Sequence, residues 1–228
     1  MNNPWRSYVA EMIGAFGLSF IGAGTIITMK QINAAPGVDL IGIAIAHGII
    51  LSVMVSALGS VSGAHVNPAV TFGVWIIGKI DTAAASGYIV SQLIGATVAG
   101  FMVKAIYTPV MYEAVHGGTP ALAQGVSVGT GILVEAVLTF FLVTAVMGTA
   151  VSHKAPKIGG FGIGLTIAAC ILMGGPLTGA SMNPSRTFGP GLAAGYWTGH
   201  VVYWVGPLLG GGLAAWVYAK VFGLDPEN

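Results

Sequence analysis

Apolar residues fall into six long segments, separated by short stretches that are richer in polar residues, glycine and proline. The segments cover residues 8–29, 38–60, 83–106, 126–150, 158–177 and 200–222. About 20 consecutive apolar residues are enough for an α-helix to cross a bilayer. The pattern therefore predicts an all-α integral membrane protein with six transmembrane helices.

A twelve-residue pattern occurs twice, after the second segment and again after the fifth. Residues 62–73 read SGAHVNPAVTFG and residues 178–189 read TGASMNPSRTFG, with seven identities at a constant offset of 116. In both copies Asn precedes Pro, as a polar N-cap precedes proline at the first helical position. Each copy is therefore predicted to begin a half-helix inside the apolar region.

The order span, span, half-helix, span is repeated in the two halves of the chain. Because three spans are an odd number, the second half must be inserted upside down relative to the first. We therefore predict a single membrane domain, 1–228, built from an inverted repeat of 1–115 and 116–228. Glutamates in the first and fourth spans, Glu11 and Glu135, also mark the duplication. Interrupted helices in matching positions of two repeats indicate a transport site near the bilayer midplane.

The amino-acid composition narrows the function. Hydrophobic residues make up 55% of the chain and charged residues 7%, whereas soluble domains carry about 25% charged residues. Six spans leave little room for an extramembrane domain, so an enzyme is not expected, nor is a catalytic residue, a metal site or a cofactor. The net charge of +1 comes without a basic patch, which argues against nucleic acid as a partner.

Charges in the loops predict the orientation in the membrane. Loops with more Lys and Arg usually face the cytoplasm. With both termini cytoplasmic, two lysines lie outside, Lys30 and Lys104, and five basic residues lie inside: Arg6, Lys79, Lys154, Lys157 and Lys220. The first residues lack the organisation of a cleavable signal. We therefore expect a multi-pass protein of a prokaryotic plasma membrane, with the vacuolar membrane as the alternative.

The two half-helix N-termini predict the chemistry of the centre. Each helix N-terminus has unpaired backbone N–H groups and about half a positive charge. Two such ends pointing at one spot would repel cations and protons. The carboxamides of Asn67 and Asn183 could each donate a hydrogen bond to a passing oxygen atom. Alternatively both are only N-caps, although a carboxamide can cap through its oxygen while its NH₂ group faces a pore.

These motifs resemble those of the aquaporins, or major intrinsic proteins, over essentially the whole chain. The resemblance rests on NPA at 67–69, NPS at 183–185, the two glutamates and the C-terminal sequence GHVVYWVGPLLGGG. Within the family the chain looks most like plant tonoplast-type and some microbial members. The resemblance implies the inverted-repeat aquaporin fold, with six transmembrane helices and two half-helices, in a homotetramer that has one pore in each subunit.

The resemblance also implies roles for individual residues. The pore constriction would be formed by Asn67, Pro68, Ala69, Asn183, Pro184 and Ser185. The selectivity filter would be formed by His47, Ile171, Ala180 and Arg186. Glu11 and Glu135 would be structural acceptors for backbone N–H groups of the loops.

Some of these residues have alternative interpretations. His47 could be a histidine of the core that is hydrogen-bonded to a neighbouring helix, and the two glutamates could be proton carriers. His65 lies in the first repeat where the second has Ser181, and it could shape a vestibule. Ammonia-conducting relatives can add a loop histidine to the filter, but that position falls near Pro120 here, so a role for His116 stays open.

Passive conduction of water is the function that the resemblance implies, with exclusion of ions and protons and with ammonia as a second permeant. Glycerol channels of the family usually have Asp directly after the filter Arg, where this chain has Thr187, and they tend to lack the Tyr203–Trp204 pair. Both departures argue against glycerol as the main permeant, so a channel for glycerol or urea is kept only as the alternative. A secondary transporter comes next, but the chain has few ionisable residues to couple transport to an ion. A junction-forming membrane protein is a further alternative.

Overall fold

The computed structural model describes residues 4–35, 37–152, 154–156 and 158–224, and this part of the chain is helical without strands. The helices are α1 (Pro4–Gln31), α2 (Val38–Ser62), α3 (Pro68–Ile76), α4 (Thr82–Ile106), α5 (Pro109–Glu113), α6 (Val128–Val146), α7 (Phe161–Thr178), α8 (Pro184–Ala194) and α9 (Val202–Lys220). A π-helical turn, Met147–Val151, extends α6. Lys157, which entered the count of loop charges, lies outside the described residues.

The six predicted spans are confirmed. Within the described residues, six helices are long and apolar enough to cross a membrane: α1, α2, α4, α6 with its π-helical turn, α7 and α9. Their outward faces carry large exposed apolar side chains, such as Ile41, Ile45 and Ile49 along α2. Contiguous apolar surface is unfavourable in water but suits the interior of a lipid bilayer.

Glycines allow the spanning helices to approach one another closely. At Gly95 of α4 a Cβ would overlap the carbonyl of Met12 on α1. At Gly210 of α9 a Cβ would overlap the carbonyl of Ala136 on α6. Small residues at such crossings are typical of membrane helices, which associate through close packing rather than through a hydrophobic driving force.

The two half-helices, α3 and α8, fill the space between the spans. Each begins at the predicted proline, Pro68 or Pro184, directly after an N-capping Asn. α3 packs mainly against α9, whereas α8 packs mainly against α4. Each half-helix is therefore held by the last span of the other half of the chain, and the two halves interlock. From the start of α1 to the end of α9 the chain crosses the molecule six times, which is an even number. α1 therefore begins on the same face on which α9 ends, and we call this face the terminal face.

Candidate functional site

The N-termini of α3 and α8 lie against each other at the centre of the molecule. The Asn67 side-chain oxygen accepts a hydrogen bond from the Ala69 backbone N–H at 2.8 Å. The Asn183 oxygen accepts from the backbone N–H groups of Ser185 and Arg186, at 3.0 and 3.2 Å. Both Asn side chains are therefore N-caps, and both are buried.

The NH₂ groups of the same two side chains cross to the other repeat. Asn67 donates to the carbonyl of Met182 at 2.8 Å, and Asn183 donates to the carbonyl of Val66 at 3.0 Å. A carboxamide has two N–H bonds, so each Asn uses one to join the half-helices and keeps the second. The two side chains therefore cap and connect the half-helices, and each has a second N–H group besides the one that makes this connection.

The backbone before each half-helix adopts an uncommon conformation at matching positions. Ala64 and Val66 have φ values of 48° and 56°, and Ala180 and Met182 have values of 45° and 53°. Left-handed φ values are uncommon for residues other than glycine, above all for a β-branched one. Such conformations persist where the surroundings hold them in place, and they are frequent at functional sites.

Glu11 holds the loop before α3. Its two carboxylate oxygens accept hydrogen bonds from the Ser62 hydroxyl at 2.7 Å, the His65 N–H at 2.9 Å, the Val66 N–H at 2.7 Å and the Gln92 amide at 2.7 Å. The side chain is fully buried. Four donors in one site satisfy a buried carboxylate, which would be costly to bury without them.

Glu135 holds the loop before α8 in the corresponding way. It accepts hydrogen bonds from the Thr178 hydroxyl at 2.7 Å, the Ser181 N–H at 2.9 Å and the Met182 N–H at 2.7 Å. Like Glu11, it is fully buried. Both glutamates therefore contact the loops that carry the left-handed residues.

Arg186 lies in the first turn of α8, and both terminal nitrogens of its guanidinium group have partners. Nη1 donates to the Gly118 carbonyl at 2.9 Å, and Nη2 lies 3.3 Å from Nε2 of His47. Nδ1 of His47 lies 2.8 Å from the Ile43 carbonyl. Because a carbonyl only accepts, Nδ1 must carry the ring proton, and Nε2 then accepts from Arg186.

Two cavities approach the junction of the half-helices. One opens towards the terminal face; it is lined by Asn67, Asn183, His65 and apolar residues of α2, α6 and α7. The other opens towards the opposite face, and its lining includes Arg186 and Ile171. The described residues that line the two cavities include no Asp or Glu.

Of the four residues predicted for the filter, the structure places His47 and Ile171 close to Arg186. Arg186 contacts His47 directly and shares a cavity wall with Ile171. Ala180 is buried in the loop before α8, three residues before Asn183. All four side chains are buried, with exposed fractions of 3 or 4%.

Comparison with known proteins identifies the family. The model of the family described as "Major intrinsic protein" matches residues 1–218. The chain belongs to the major intrinsic protein family. Aquaporin TIP4-4 of Zea mays is 42% identical over 225 residues, which cover 95% of this chain and 86% of the relative. Aquaporin TIP2-1 of Arabidopsis thaliana is 40% identical over 223 residues, which cover 95% and 87%.

A solved structure has the same fold. The X-ray structure of the aquaglyceroporin from Plasmodium falciparum matches with a TM-score of 0.76 over 96% of this chain and 97% of that chain. The sequences are only 22% identical. The likeness confirms the predicted fold class of six transmembrane helices and two half-helices.

The comparisons overturn the predicted compartment. The relatives named above are plant tonoplast intrinsic proteins, a class of the vacuolar membrane, so the prediction of a prokaryotic plasma membrane is wrong. The error has a physical reason. Loop charges report how a protein is oriented in a membrane, and the length of an apolar segment shows that it can span a bilayer with some tilt. Neither signal identifies the compartment.

Two histidines outside the predicted filter line the cavities of this family member. His116 lines the cavity that contains Arg186, and its ring stacks on Tyr196 with ring centroids 4.0 Å apart and planes at 9°. Pro120, near which the position of a loop histidine of some relatives falls in the sequence, lines the same cavity. His65 lines the other cavity, where its Nδ1 lies 3.2 Å from the Thr71 hydroxyl.

The sequence interpretation missed the carbonyl that binds Arg186. Gly118 ends a run of three left-handed residues, with φ values of 48°, 61° and 74° at His116, Gly117 and Gly118. The Gly-Gly pair in the sequence signals a tight turn. It does not indicate which side chain the turned carbonyl will meet, 68 residues further along the chain.

Proposed function

We propose that this protein conducts water passively through a pore that joins the two cavities at the junction of α3 and α8. The observation that carries the proposal is the reciprocal pair of hydrogen bonds between Asn67 and Asn183 and the backbone of the opposite repeat. It leaves one N–H donor on each Asn beside the cavity that both residues line. The relatives named above are called aquaporins, which favours water as the permeant.

The same arrangement excludes cations and protons. Two helix N-termini together place about one positive charge at the junction, and Arg186 adds a full charge nearby. A water molecule that accepts hydrogen bonds from both Asn donors uses both of its lone pairs, so it donates to its neighbours on either side but can accept a proton from neither, which interrupts a proton relay. Positive half-helix ends and an Arg are established means of excluding protons and cations from a water pore.

The constriction of the pore consists of the two triplets at the half-helix N-termini, 67–69 and 183–185. The selectivity filter consists of His47, Ile171, Ala180 and Arg186. The direct contact between His47 and Arg186 supports this assignment, because it holds the guanidinium group against one wall. Ile171 then provides an apolar surface on the cavity that Arg186 lines. A ring with donors on one side and apolar surface on another suits a small polar solute.

Ammonia is a second permeant in this proposal. Neutral ammonia resembles water in size and hydrogen bonding, and the filter gives it the same donors and acceptors. Glycerol is larger and less favoured here. Thr187 is buried, lines neither of these cavities and shares a hydrogen bond with Ser181, so it offers glycerol no additional acceptor.

Water flux through reconstituted protein tests the proposal. Liposomes that contain the protein should shrink faster than empty liposomes after an osmotic step, as followed by stopped-flow light scattering. Ile171→Trp should remove most of this flux because Ile171 faces the cavity, whereas Leu172→Trp should keep it because Leu172 is 47% exposed on the outer surface. Shrinkage no faster than that of empty liposomes would refute the proposal.

The same liposomes separate the other permeants and mechanisms. An inward ammonia gradient should raise the internal pH faster than in empty liposomes, and a proton gradient with a potassium ionophore should not collapse faster. Solute uptake that requires a Na⁺ or H⁺ gradient would instead support a secondary transporter. The proposal includes no covalent step, so we assign no enzymatic activity.

We further propose that four copies assemble, each with its own pore, and that residues 1–115 and 116–228 form the two repeats. The matched offset of the capping residues, Asn67 and Asn183, supports the division into repeats. Exposed apolar faces on the spans are compatible with contacts between copies. Native mass spectrometry of detergent-extracted protein should give the mass of four chains, and a single-chain mass would contradict the assembly.

A further inference from the structure

We propose that Gly22 and Ala23 of α1 position the filter, although neither is assigned to the pore. Gly22 sets how far the His47 ring stands from the lumen. Ala23 supports the turn whose carbonyl binds Arg186. This inference rests on the proposed function for its effect on permeation, while its structural content can be measured separately.

The first observation is the contact between Gly22 and the His47 ring. Gly22 is buried in α1. A Cβ at this position would overlap Nε2 of His47 and would lie 2.9 Å from both Cδ2 and Cε1 of the ring. Real Cβ atoms essentially never approach other atoms closer than 3.0 Å. The ring therefore occupies the space that any side chain at position 22 would need.

The His47 ring cannot easily rotate out of the way of a side chain at position 22. Its Nδ1 is hydrogen-bonded to the Ile43 carbonyl at 2.8 Å, one turn earlier on α2. Turning the ring about its side-chain bonds would break this hydrogen bond. A side chain at position 22 would instead push the ring as a unit away from α1, in the direction of Arg186 and the lumen.

The second observation concerns the neighbouring residue, Ala23. Gly118 packs directly on the backbone of α1 there: a Cβ on Gly118 would lie 2.7 Å from Cα and 2.9 Å from the carbonyl oxygen of Ala23. The Gly118 carbonyl is the acceptor for Nη1 of Arg186. Two adjacent residues of one helix therefore support both acceptors that hold the guanidinium group.

It follows that α1 controls the width of the filter through contacts behind the lumen. A change at Gly22 moves His47, and His47 holds Nη2 of Arg186 at 3.3 Å. The positions of two of the four proposed filter residues, His47 and Arg186, thus depend on the absence of a side chain at position 22. Gly22 is a positioning residue, since it acts on the permeant only through His47.

The variant that tests this role is Gly22→Ala, with Gly24→Ala as its matched control. Both substitutions add one methyl group to α1 and raise its helix propensity equally. At Gly24 the added Cβ would meet the Tyr107 hydroxyl at 3.4 Å, an ordinary contact distance. We expect Gly22→Ala to lower water permeability about fivefold or more, which corresponds to roughly 1 kcal/mol of barrier. Gly24→Ala should stay close to the unsubstituted protein.

A double-substitution cycle distinguishes positioning from a general effect on packing. In a His47→Ala background there is no ring to displace, so adding Gly22→Ala should change permeability no more than Gly24→Ala does. Coupling of this kind is what a cycle isolates. If Gly22→Ala lowers permeability equally with and without the ring, or has no effect with the ring present, the inference is wrong.

A spectroscopic readout keeps the inference testable even if the protein conducts no water. Solid-state ¹⁵N NMR of histidine-labelled protein in bilayers, with His47→Ala used for assignment, should show His47 with its proton on Nδ1. The Nε2 signal should shift in Gly22→Ala and not in Gly24→Ala. An unchanged Nε2 signal in Gly22→Ala would overturn the positioning role, whereas absent water flux in the unsubstituted protein would refute only the proposed function.

Discussion

Replacement of Glu135 by Gln should destabilise the protein through a single mispaired hydrogen bond and two weakened ones. The carboxylate accepts from the Thr178 hydroxyl and the Ser181 N–H through Oε1, and from the Met182 N–H through Oε2. Gln keeps one carbonyl oxygen but replaces the other by an NH₂ group. A donor would then face a donor, at the Met182 N–H if the Gln oxygen takes the place of Oε1.

The size of the effect follows from these contacts. A buried N–H left without an acceptor costs about 1–3 kcal/mol. The two remaining hydrogen bonds become neutral ones, which are roughly half as strong as bonds to a charged acceptor. Together we expect a loss of about 2–4 kcal/mol in the free energy of unfolding. For a chain of this size that corresponds to a fall of roughly 4–16 °C in Tm.

Thermal unfolding in detergent, followed by intrinsic fluorescence, measures this change. Glu113→Gln is the matched control, because it makes the same chemical change on an exposed residue of α5. Its Tm should stay close to that of the unsubstituted protein. If Glu135→Gln unfolds at the same temperature as Glu113→Gln, the carboxylate does not hold the loop before α8 as the hydrogen bonds indicate.

Three further changes test other contacts of the site. Arg186→Val removes the charge and the donors from the proposed filter, so glycerol uptake into proteoliposomes should rise while the far-UV circular dichroism stays the same; unchanged selectivity would contradict its role. Asn67→Ala removes an N-cap and the donor to the Met182 carbonyl, and should cost about 1–3 kcal/mol of stability and lower water permeability; full permeability would argue against the junction as the pore. Tyr203→Phe leaves the Thr178 carbonyl without its donor at 2.7 Å and should cost about 1 kcal/mol, read as a lower Tm; an equal Tm would show that another group replaces the hydroxyl.

Much of the fold could be predicted because it depends on local signals. Segment length and hydrophobicity identified the six spans, and the Asn-Pro pairs identified where α3 and α8 begin. Both signals lie within a few residues of the structure that they specify. The ends of the helices were predicted less accurately. α1 begins at Pro4 although its apolar segment begins at residue 8, because the helix continues through Trp5 and Arg6 beyond the apolar segment.

The contacts of the site were harder to predict because they join distant parts of the chain. N-capping by Asn67 is local, but its second partner, the Met182 carbonyl, lies 115 residues away. The partners of Arg186 are equally remote, since Gly118 belongs to a turn and His47 to another span. A repeat in the sequence indicates that two segments are alike; it does not indicate which atoms of one meet which atoms of the other.

The interlocked half-helices make packing of the first half depend on a helix that is synthesised later. α3 leaves the ribosome long before α9, its main packing partner, which is the last helix among the described residues. Until α9 is made, α3 lacks its main packing partner and contacts only earlier helices such as α4 and α6. The nascent protein must therefore carry an unfinished first half in the bilayer until α9 has been made, and truncation before α9 should leave both halves open to degradation.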